Sequence, residues 1–224
     1  MIKYTLQVLF LLQFFVVFSQ SDQITYPNFL GSELMDVMKN PDWKILCETR
    51  GYLNKNPVFD FALVLESKEN QTYQSCKSCP VNKIKPRIIL IVIDNKVTIQ
   101  NNEFIARGDE GGMTPYIVPD LSIKDQKLTI FWQYTRDNTS YVFQYRKKHM
   151  ELISAQKVGV HAVTGDYESH DFDFIKKMVK LEKGNISELE TKKETISIKH
   201  IKQLKRLSEM KKMYNWEVLH NVLL

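Results

Sequence analysis

Between His161 and Asp173 the chain concentrates side chains that perform acid–base and metal chemistry. These are His161, Asp166, Glu168, His170, Asp171 and Asp173. A histidine beside a carboxylate can move protons during hydrolysis. In a strand, however, neighbours such as His170 and Asp171 point to opposite faces. We therefore interpret the cluster as solvent-facing residues between aromatic core positions. An exported hydrolase that uses the cluster is the alternative hypothesis.

Other catalytic signatures are missing from the sequence. It contains no serine nucleophile elbow, no phosphate-binding glycine loop and no helical His-Glu-x-x-His motif. The prediction is a non-enzymatic binding or envelope-associated module without a required cofactor. Its expected ligand is a glycan or a protein, since aromatic pairs such as Trp132 with Tyr134, or Tyr141 with Tyr145, are suited to stack on sugars or peptides. The same aromatic residues are equally suited to a core.

Three cysteines, Cys47, Cys76 and Cys79, make up the whole complement. The Cys-x-x-Cys spacing suits redox or zinc chemistry, but Pro80 follows where a redox motif needs a helix, and a zinc site lacks a second pair. A disulfide is the better interpretation in an oxidising compartment. It forms either between Cys76 and Cys79 or between Cys47 and one of them.

The first residues have the pattern of an export signal. One lysine, Lys3, precedes an uncharged run whose apolar core from Val8 to Phe18 is short for a membrane span. Small residues at Val17 and Ser19 predict cleavage after Ser19. We expect residues 1–19 to be a signal peptide, the mature chain to lack a transmembrane segment, and the protein to be periplasmic or extracellular.

The mature chain is predicted to divide into a β-rich domain, residues 20–190, and a basic C-terminal extension, residues 191–224. From Lys176 onward the sequence has 12 basic and 6 acidic residues. Because the acidic residues are interleaved with the lysines, we expect a solvated helix face and no nucleic-acid binding. Apolar residues every three positions predict a helix from Lys199 to Met213, packed through its apolar side. The apolar end, Trp216 to Leu224, packs on the body or on a partner, so a partner-docking protein is a further alternative.

Period-two alternation between Trp43 and Phe174 predicts strands joined by short polar turns, and hence antiparallel pairing. Segments apolar on both faces, around Phe61–Leu65 and Ile88–Ile93, predict interior strands. A capping serine, Ser32, precedes a short apolar-periodic stretch that predicts a helix ending before Pro41. The fold class is therefore mainly β (α+β): an antiparallel meander or sandwich-like domain with a short N-terminal and a C-terminal helix.

One segment carries a family resemblance. The stretch Gly51-Tyr52-Leu53-Asn54-Lys55-Asn56-Pro57-Val58-Phe59-Asp60 leads into an apolar strand. It resembles the calcium loops of FG-GAP (integrin-type) repeats, as they occur in uncharacterised secreted bacterial β-rich proteins without assigned activity. The order of motifs downstream, to about residue 182, is similar to the same proteins.

The resemblance implies calcium ligands at Asn54, Asn56 and Asp60. The loop departs from the pattern in two places, because Tyr52 stands where the first carboxylate is expected and Pro57 where the glycine is. One carboxylate and two amides make a weak calcium site. We therefore expect a turn that keeps the shape of the loop without requiring the ion.

Overall fold

The structure is a computed structural model that describes residues 24–74, 76, 78–111 and 117–224. The predicted signal segment, residues 1–19, lies outside the described residues. The described chain is mostly antiparallel β-sheet, which confirms the predicted fold class. The predicted N-terminal helix is present as α1 (Leu34–Met38). None of the helices in the described ranges has the length and apolar character that a membrane span requires.

A small sheet forms the interior layer. Its strands are β1 (Trp43–Gly51), β2 (Asp60–Ser67), β5 (Arg87–Ile93) and β6 (Lys96–Asn101), in the order β1-β2-β5-β6. A hairpin of β3 (Gln71–Tyr73) and β4 (Asn82–Ile84) lies between β2 and β5 along the chain. As predicted, β2 and β5 are buried on both faces. One face packs against Phe29, Val37 of α1 and Trp43, and the other faces the second sheet.

A larger meander follows in chain order. Its seven strands are β7 (Asp120–Lys124), β8 (Lys127–Gln133), β9 (Asp137–Arg146), β10 (His149–Val160), β11 (Asp166–Asp173), β12 (Met178–Asn185) and β13 (Thr191–Ser197). Neighbouring strands in sequence are neighbours in space, because each is joined to the next by a tight polar turn. The inner face of this large sheet packs on the small sheet in one continuous core.

The predicted C-terminal helix from Lys199 to Met213 is wrong. The segment contains only a 3₁₀ turn, Leu207–Glu209, and the residues flanking that turn, Arg206 and Met210, have extended backbone. A three-residue spacing drifts around an α-helix of 3.6 residues per turn, so it does not build one apolar stripe. Here Leu207 and Met210 instead enter the core from an irregular segment.

The irregular tail and the small sheet together form a second layer, which packs on strands β9–β12 of the large sheet. Ile198, Val218 and Leu224 are buried in the same core as the two sheets, and Trp216 stacks on Phe174 with ring centroids 5.3 Å apart. The tail ends in a hairpin of β14 (Glu217–Leu219) and β15 (Val222–Leu223). The apolar residues that suggested docking on a partner are therefore used in the chain's own core.

One buried side chain ties the tail to the small sheet. The amide of Asn101, at the end of β6, donates to the carbonyls of Leu207 at 2.6 Å and Met210 at 2.7 Å. Its oxygen accepts the backbone N–H groups of Glu103 and Phe104. Asn101 thus satisfies backbone groups of two segments that are distant in sequence, as buried polar groups require.

A buried ion pair lies near the same end of the small sheet, since Asn101 pairs with Ile89, two residues from Arg87. Arg87 Nε lies 2.9 Å from Glu66 Oε2, and Lys44 contacts the other oxygen of Glu66. Arg87 also donates to the carbonyls of Ala106 and Ile117. One guanidinium therefore binds the two residues on either side of the segment 107–116.

Candidate functional site

The inner face of the large sheet changes character along its strands. One cross-strand row consists of Tyr141, Ala155, Phe172 and Val179, which pair in register and are at most 2 % exposed. We call this the covered row, since the small sheet and the tail pack on it. Four residues further along each strand the second layer no longer covers the face, and the residues become polar.

The uncovered row is Asp137, Gly159, Glu168, Lys183 and Lys192, one residue from each strand β9–β13. The pairings Asp137–Gly159, Gly159–Glu168, Glu168–Lys183 and Lys183–Lys192 follow from the sheet register. Residues separated by an even number along a strand share a face, so this row lies on the same face as the covered row. We call it the polar shelf.

A cavity of about 1090 Å³ lies at the β8 end of the polar shelf. Its aromatic and cationic lining includes Arg107, Trp132, Tyr134, Arg136, Lys157 and Tyr214. We call it the aromatic cavity. Tyr214 comes from the C-terminal tail, where its hydroxyl lies 3.2 Å from Thr139 Oγ1, and the ammonium of Lys157 lies 4.6 Å from its ring centroid. The tail therefore builds one wall and the large sheet the floor.

Two buried donors, one lining this cavity and one in the core beside it, lack protein acceptors. Trp132 is 1 % exposed, and its Nε1–H makes no hydrogen bond within the described residues; the Tyr141 hydroxyl is in the same situation. The two rings are in edge-to-face contact at 5.8 Å between centroids. A buried donor without an acceptor is costly, so a ligand acceptor that reached the indole would bind favourably.

The tyrosines at the site are protonated at ordinary pH. Burial, aided by Tyr214 and Asp137, raises the pKa of Tyr134 to about 12. Burial also raises the pKa of Tyr141 far above its usual value. Both phenols therefore act as neutral hydroxyls that can donate a hydrogen bond.

A second cavity, of about 800 Å³, lies over the rest of the polar shelf. Its charged lining is mostly carboxylate: Asp137, Asp166, Glu168, Glu188 and Glu190, against Lys183 and Lys192. We call it the acidic cavity. Asp137 lines both cavities. The two therefore meet at this residue and form one groove that crosses β8–β13.

Gly159 forms the floor of the groove beside Asp137. A methyl group added there would lie 2.7 Å from Asp137 Oδ1, which is the end of a movable side chain. The absence of a side chain at this point keeps the groove open between its two halves.

The structure separates the residues of the His161–Asp173 cluster. His161 lies in the β10–β11 turn beside Thr164 Oγ1 and lines the acidic cavity with Asp166 and Glu168. His170 lies within β11, 7 % exposed, stacked on Phe172 with its Nε2 3.2 Å from Glu168. Asp171 and Asp173 pair onto β10 and β12 away from the cavity.

This arrangement gives no acid–base pair. Hydrogen bonds from Thr164 and Asn185 lower the pKa of Asp166, and Glu168 is held by Lys183 and His170. A general acid needs a raised pKa instead. Burial, only partly opposed by Glu168, lowers the pKa of His170. The described residues also contain no group of three or more His, Cys, Asp or Glu that could hold a metal ion.

No family model, no curated protein and no solved structure matches this chain. The groove is therefore the feature that indicates what this chain binds.

The loop that resembles a calcium site uses its oxygens internally. Asp60, fully buried, accepts the backbone N–H groups of Leu53 at 2.8 Å, Asn54 at 3.3 Å and Asp94 at 3.4 Å. The Asn54 oxygen accepts the N–H of Asn56. The three predicted ligands thus lie in one loop, where protein donors occupy the positions at which a cation would bind.

The cysteines resolve into one pair and one thiol. Cys76 and Cys79 form a disulfide within the β3–β4 loop, which leaves Cys47 free. Burial, with Asp120 nearby, raises the pKa of the Cys47 thiol to about 11. A thiol that stays protonated is a poor nucleophile, so Cys47 acts as a packing residue in β1.

Sequence reasoning missed the groove and left two aromatic residues open between ligand stacking and the core. Trp132 and Tyr141 belong to the core, so they do not offer stacking faces, whereas Tyr134 and Tyr214 line the aromatic cavity. The sequence does contain one signal of the groove: single polar residues occur at inner-face positions of strands whose inner face is otherwise apolar. Only the cross-strand register shows that these positions form one row.

Proposed function

We propose that this protein is an exported, non-enzymatic binding module that holds an oligosaccharide in the groove across the polar shelf. The observation that carries the proposal is the meeting of the two cavities at Asp137 on one sheet face. Six strands, β8–β13, spaced about 4.8 Å apart, give a groove of roughly 24 Å. This length suits a short chain of sugar rings better than a single small metabolite.

The groove offers the mixture of groups that sugar hydroxyls require. Each hydroxyl both donates and accepts. Asp137 and Glu190 supply acceptors, Lys183 and the Trp132 N–H supply donors, and Tyr134 supplies a neutral hydroxyl. Half-buried tyrosines at one end add apolar ring surface. A lipid would leave these charged groups without partners, so it fits the groove poorly.

Binding without catalysis is supported by the carboxylates. Hydrolysis of a glycosidic bond needs one carboxyl group held protonated and a second that is ionised. In the acidic cavity, hydrogen bonds from Thr164 and Asn185 stabilise the ionised form of Asp166, and Glu168 contacts Lys183. The hydrolase hypothesis therefore has less support than the binding hypothesis.

Export is supported by two independent observations. The predicted signal peptide precedes the described chain, and the Cys76–Cys79 disulfide is typical of an oxidising compartment. A periplasmic or extracellular module would meet glycans of the envelope or of the surroundings.

The test is a glycan array followed by calorimetry on the mature chain. Gly159→Val should abolish binding because it places a branched side chain on the groove floor, while a strand accepts valine readily. Gln156→Val is the matched control, since Gln156 is an exposed residue of the same strand whose side chain points to the opposite face. Trp132→Phe keeps the ring packing and removes only the indole donor, and it should weaken binding about tenfold.

Two results would contradict the proposal. One is a mature protein that binds no glycan on the array. The other is a ligand whose affinity is unchanged by Gly159→Val, with folding of both valine variants verified by circular dichroism. A peptide ligand that competes at Gly159 would replace the oligosaccharide by a protein partner.

A further inference from the structure

The two ends of the groove differ in charge. Four cations, Arg107, Arg136, Lys157 and Lys212, line the aromatic cavity with the carboxylates Glu110 and Asp137. The acidic cavity has five carboxylates against two lysines. The groove is therefore positive at its β8 end and negative at its β13 end.

Two of the four cations are already neutralised by the protein. Arg107 contacts Asp109 at 3.0 Å and Glu110 at 3.1 Å, and Lys212 forms an ion pair with the same Glu110. These contacts join the wall of the cavity to the C-terminal tail. They leave Arg107 and Lys212 as structural cations rather than as free binding groups.

Arg136 and Lys157 have a different role. Neither forms an ion pair with a carboxylate among the described residues, although both line the aromatic cavity. Lys157 is half-buried on the inner face, opposite Thr139 and His170 in the register, with its ammonium over the Tyr214 ring. Arg136 is exposed in the turn between β8 and β9. A half-buried ammonium held by an aromatic ring and lacking a counter-ion is suited to bind an anion.

At the opposite end the carboxylates Glu188 and Glu190 have no ion-pair partner in the described chain, and Asp166 is kept ionised by its hydrogen bonds. An anionic group on the ligand would be repelled there. The charge difference thus fixes the direction in which an acidic chain enters the groove.

We infer that the ligand is an acidic oligosaccharide whose anionic group, a carboxylate or a sulfate, binds between Arg136 and Lys157 in the aromatic cavity. The remaining sugar rings extend along the polar shelf toward the β13 end. This inference rests on the proposed oligosaccharide function and adds the charge and orientation of the chain. The Trp132 indole then donates to an oxygen of the anionic sugar.

Calorimetry with three probes tests the inference: the acidic trisaccharide 3′-sialyllactose, the sulfated disaccharide 3′-sulfolactose and the neutral trisaccharide galactosyl-lactose. We expect at least one acidic probe to bind ten or more times tighter than the neutral one. That preference should fall when salt is raised, since screening weakens the ion contacts. The probe that binds tighter, sialylated or sulfated, identifies the anion.

Variants locate the anion. Arg136→Gln and Lys157→Gln should each reduce affinity for the acidic probe about tenfold while leaving the affinity for the neutral probe unchanged. Lys180→Gln removes one positive charge at an exposed position of β12 on the opposite face of the sheet and is the matched control, with the preference retained. Circular dichroism verifies that every variant is folded.

The outcomes separate the two proposals. Equal binding of acidic and neutral probes, or a preference that survives both glutamine variants, overturns the inference and leaves oligosaccharide binding in place. Binding of none of the three probes, together with an array on which no glycan binds, contradicts the proposed function and the inference together.

Discussion

The covered row and the polar shelf share strands β9–β12 and the same face, four residues apart, yet they differ in every chemical respect. Over the covered row, the small sheet and the C-terminal tail supply a second layer, and the row is apolar and closed. Over the polar shelf there is no second layer in the described chain, and the row carries charges around a glycine. Strand and register are shared, so coverage by the second layer decides which residues each row can hold.

The difference between the two rows indicates which residues stabilise the fold and which bind the ligand. Burying an aromatic side chain stabilises a fold by several kcal/mol, whereas an exposed ion pair contributes about 0–1 kcal/mol. The covered row should therefore determine the free energy of unfolding, and the polar shelf should be free to determine the ligand.

Phe172→Ala in the covered row should have the largest effect. Phe172 is fully buried and stacks on both Phe174 and His170. Removing the ring should lower the free energy of unfolding by about 3–5 kcal/mol. The paired change Glu168→Ala, four residues earlier on the shelf, should cost less than about 1 kcal/mol. Urea denaturation of both variants measures the contrast, and equal losses would refute it.

Asn101→Ala tests the attachment of the second layer. The change leaves four backbone groups, two carbonyls and two N–H groups, without the side chain that satisfied them. We expect a loss of about 2–3 kcal/mol, with proteolysis beginning in the tail. Asn215→Ala, at an exposed position of the same tail, is the control and should leave stability unchanged. Protease resistance equal to that of the unchanged chain would show that Asn101 does not hold the tail.

His170 lies between the two rows and should add a pH dependence of modest size. Burial lowers its pKa, against which Glu168 acts, while Lys157 and Lys183 act in the same direction as burial. The unfolded chain then binds the proton more readily, so stability is full above about pH 6.5 and falls as the pH is lowered through the folded-state pKa. Unfolding midpoints of the unchanged chain and of His170→Phe between pH 7 and 5 measure this. The phenylalanine variant should lack the histidine component, and identical profiles would contradict the assignment.

Calcium should have the smallest effect. The Asp60 carboxylate accepts hydrogen bonds from backbone N–H groups in the loop before β2. Like the covered row, it therefore stabilises the fold, whereas the polar shelf binds the ligand. Adding millimolar calcium to the mature chain should leave its Tm unchanged, because a ligand present below its Kd does not stabilise. A rise of several degrees that is lost in Asp60→Asn would establish a metal site.

Much of the fold could be predicted from the sequence because local patterns determine it. Uninterrupted apolar runs rich in β-branched residues, such as Ile88–Ile93, predict interior strands, and alternation with polar turns predicts the meander. The tail could not be predicted in this way. Its apolar residues reach the core from an irregular backbone that is held by distant partners such as Asn101. No short-range sequence pattern predicts such an arrangement.

The groove could be predicted even less. Asp137, Gly159 and Glu168 are separated along the chain by whole strands and turns, and each by itself is an ordinary strand residue. They become a site only when the registers of β9 with β10 and of β10 with β11 align them. The half-buried tail residue Tyr214 has a positive φ of 64° and no neighbours in sequence that suggest a binding wall.

The bond pattern of Arg87 has an evolutionary consequence. Its guanidinium holds the carbonyls at the two ends of the segment 107–116, and Arg107 and Glu110 of that segment border the aromatic cavity. The anchor depends on backbone oxygens, which every amino acid carries. A substitution at Ala106 or Ile117 therefore leaves the acceptors of Arg87 in place, so this end of the cavity can take new side chains at these two positions without losing its attachment to the small sheet.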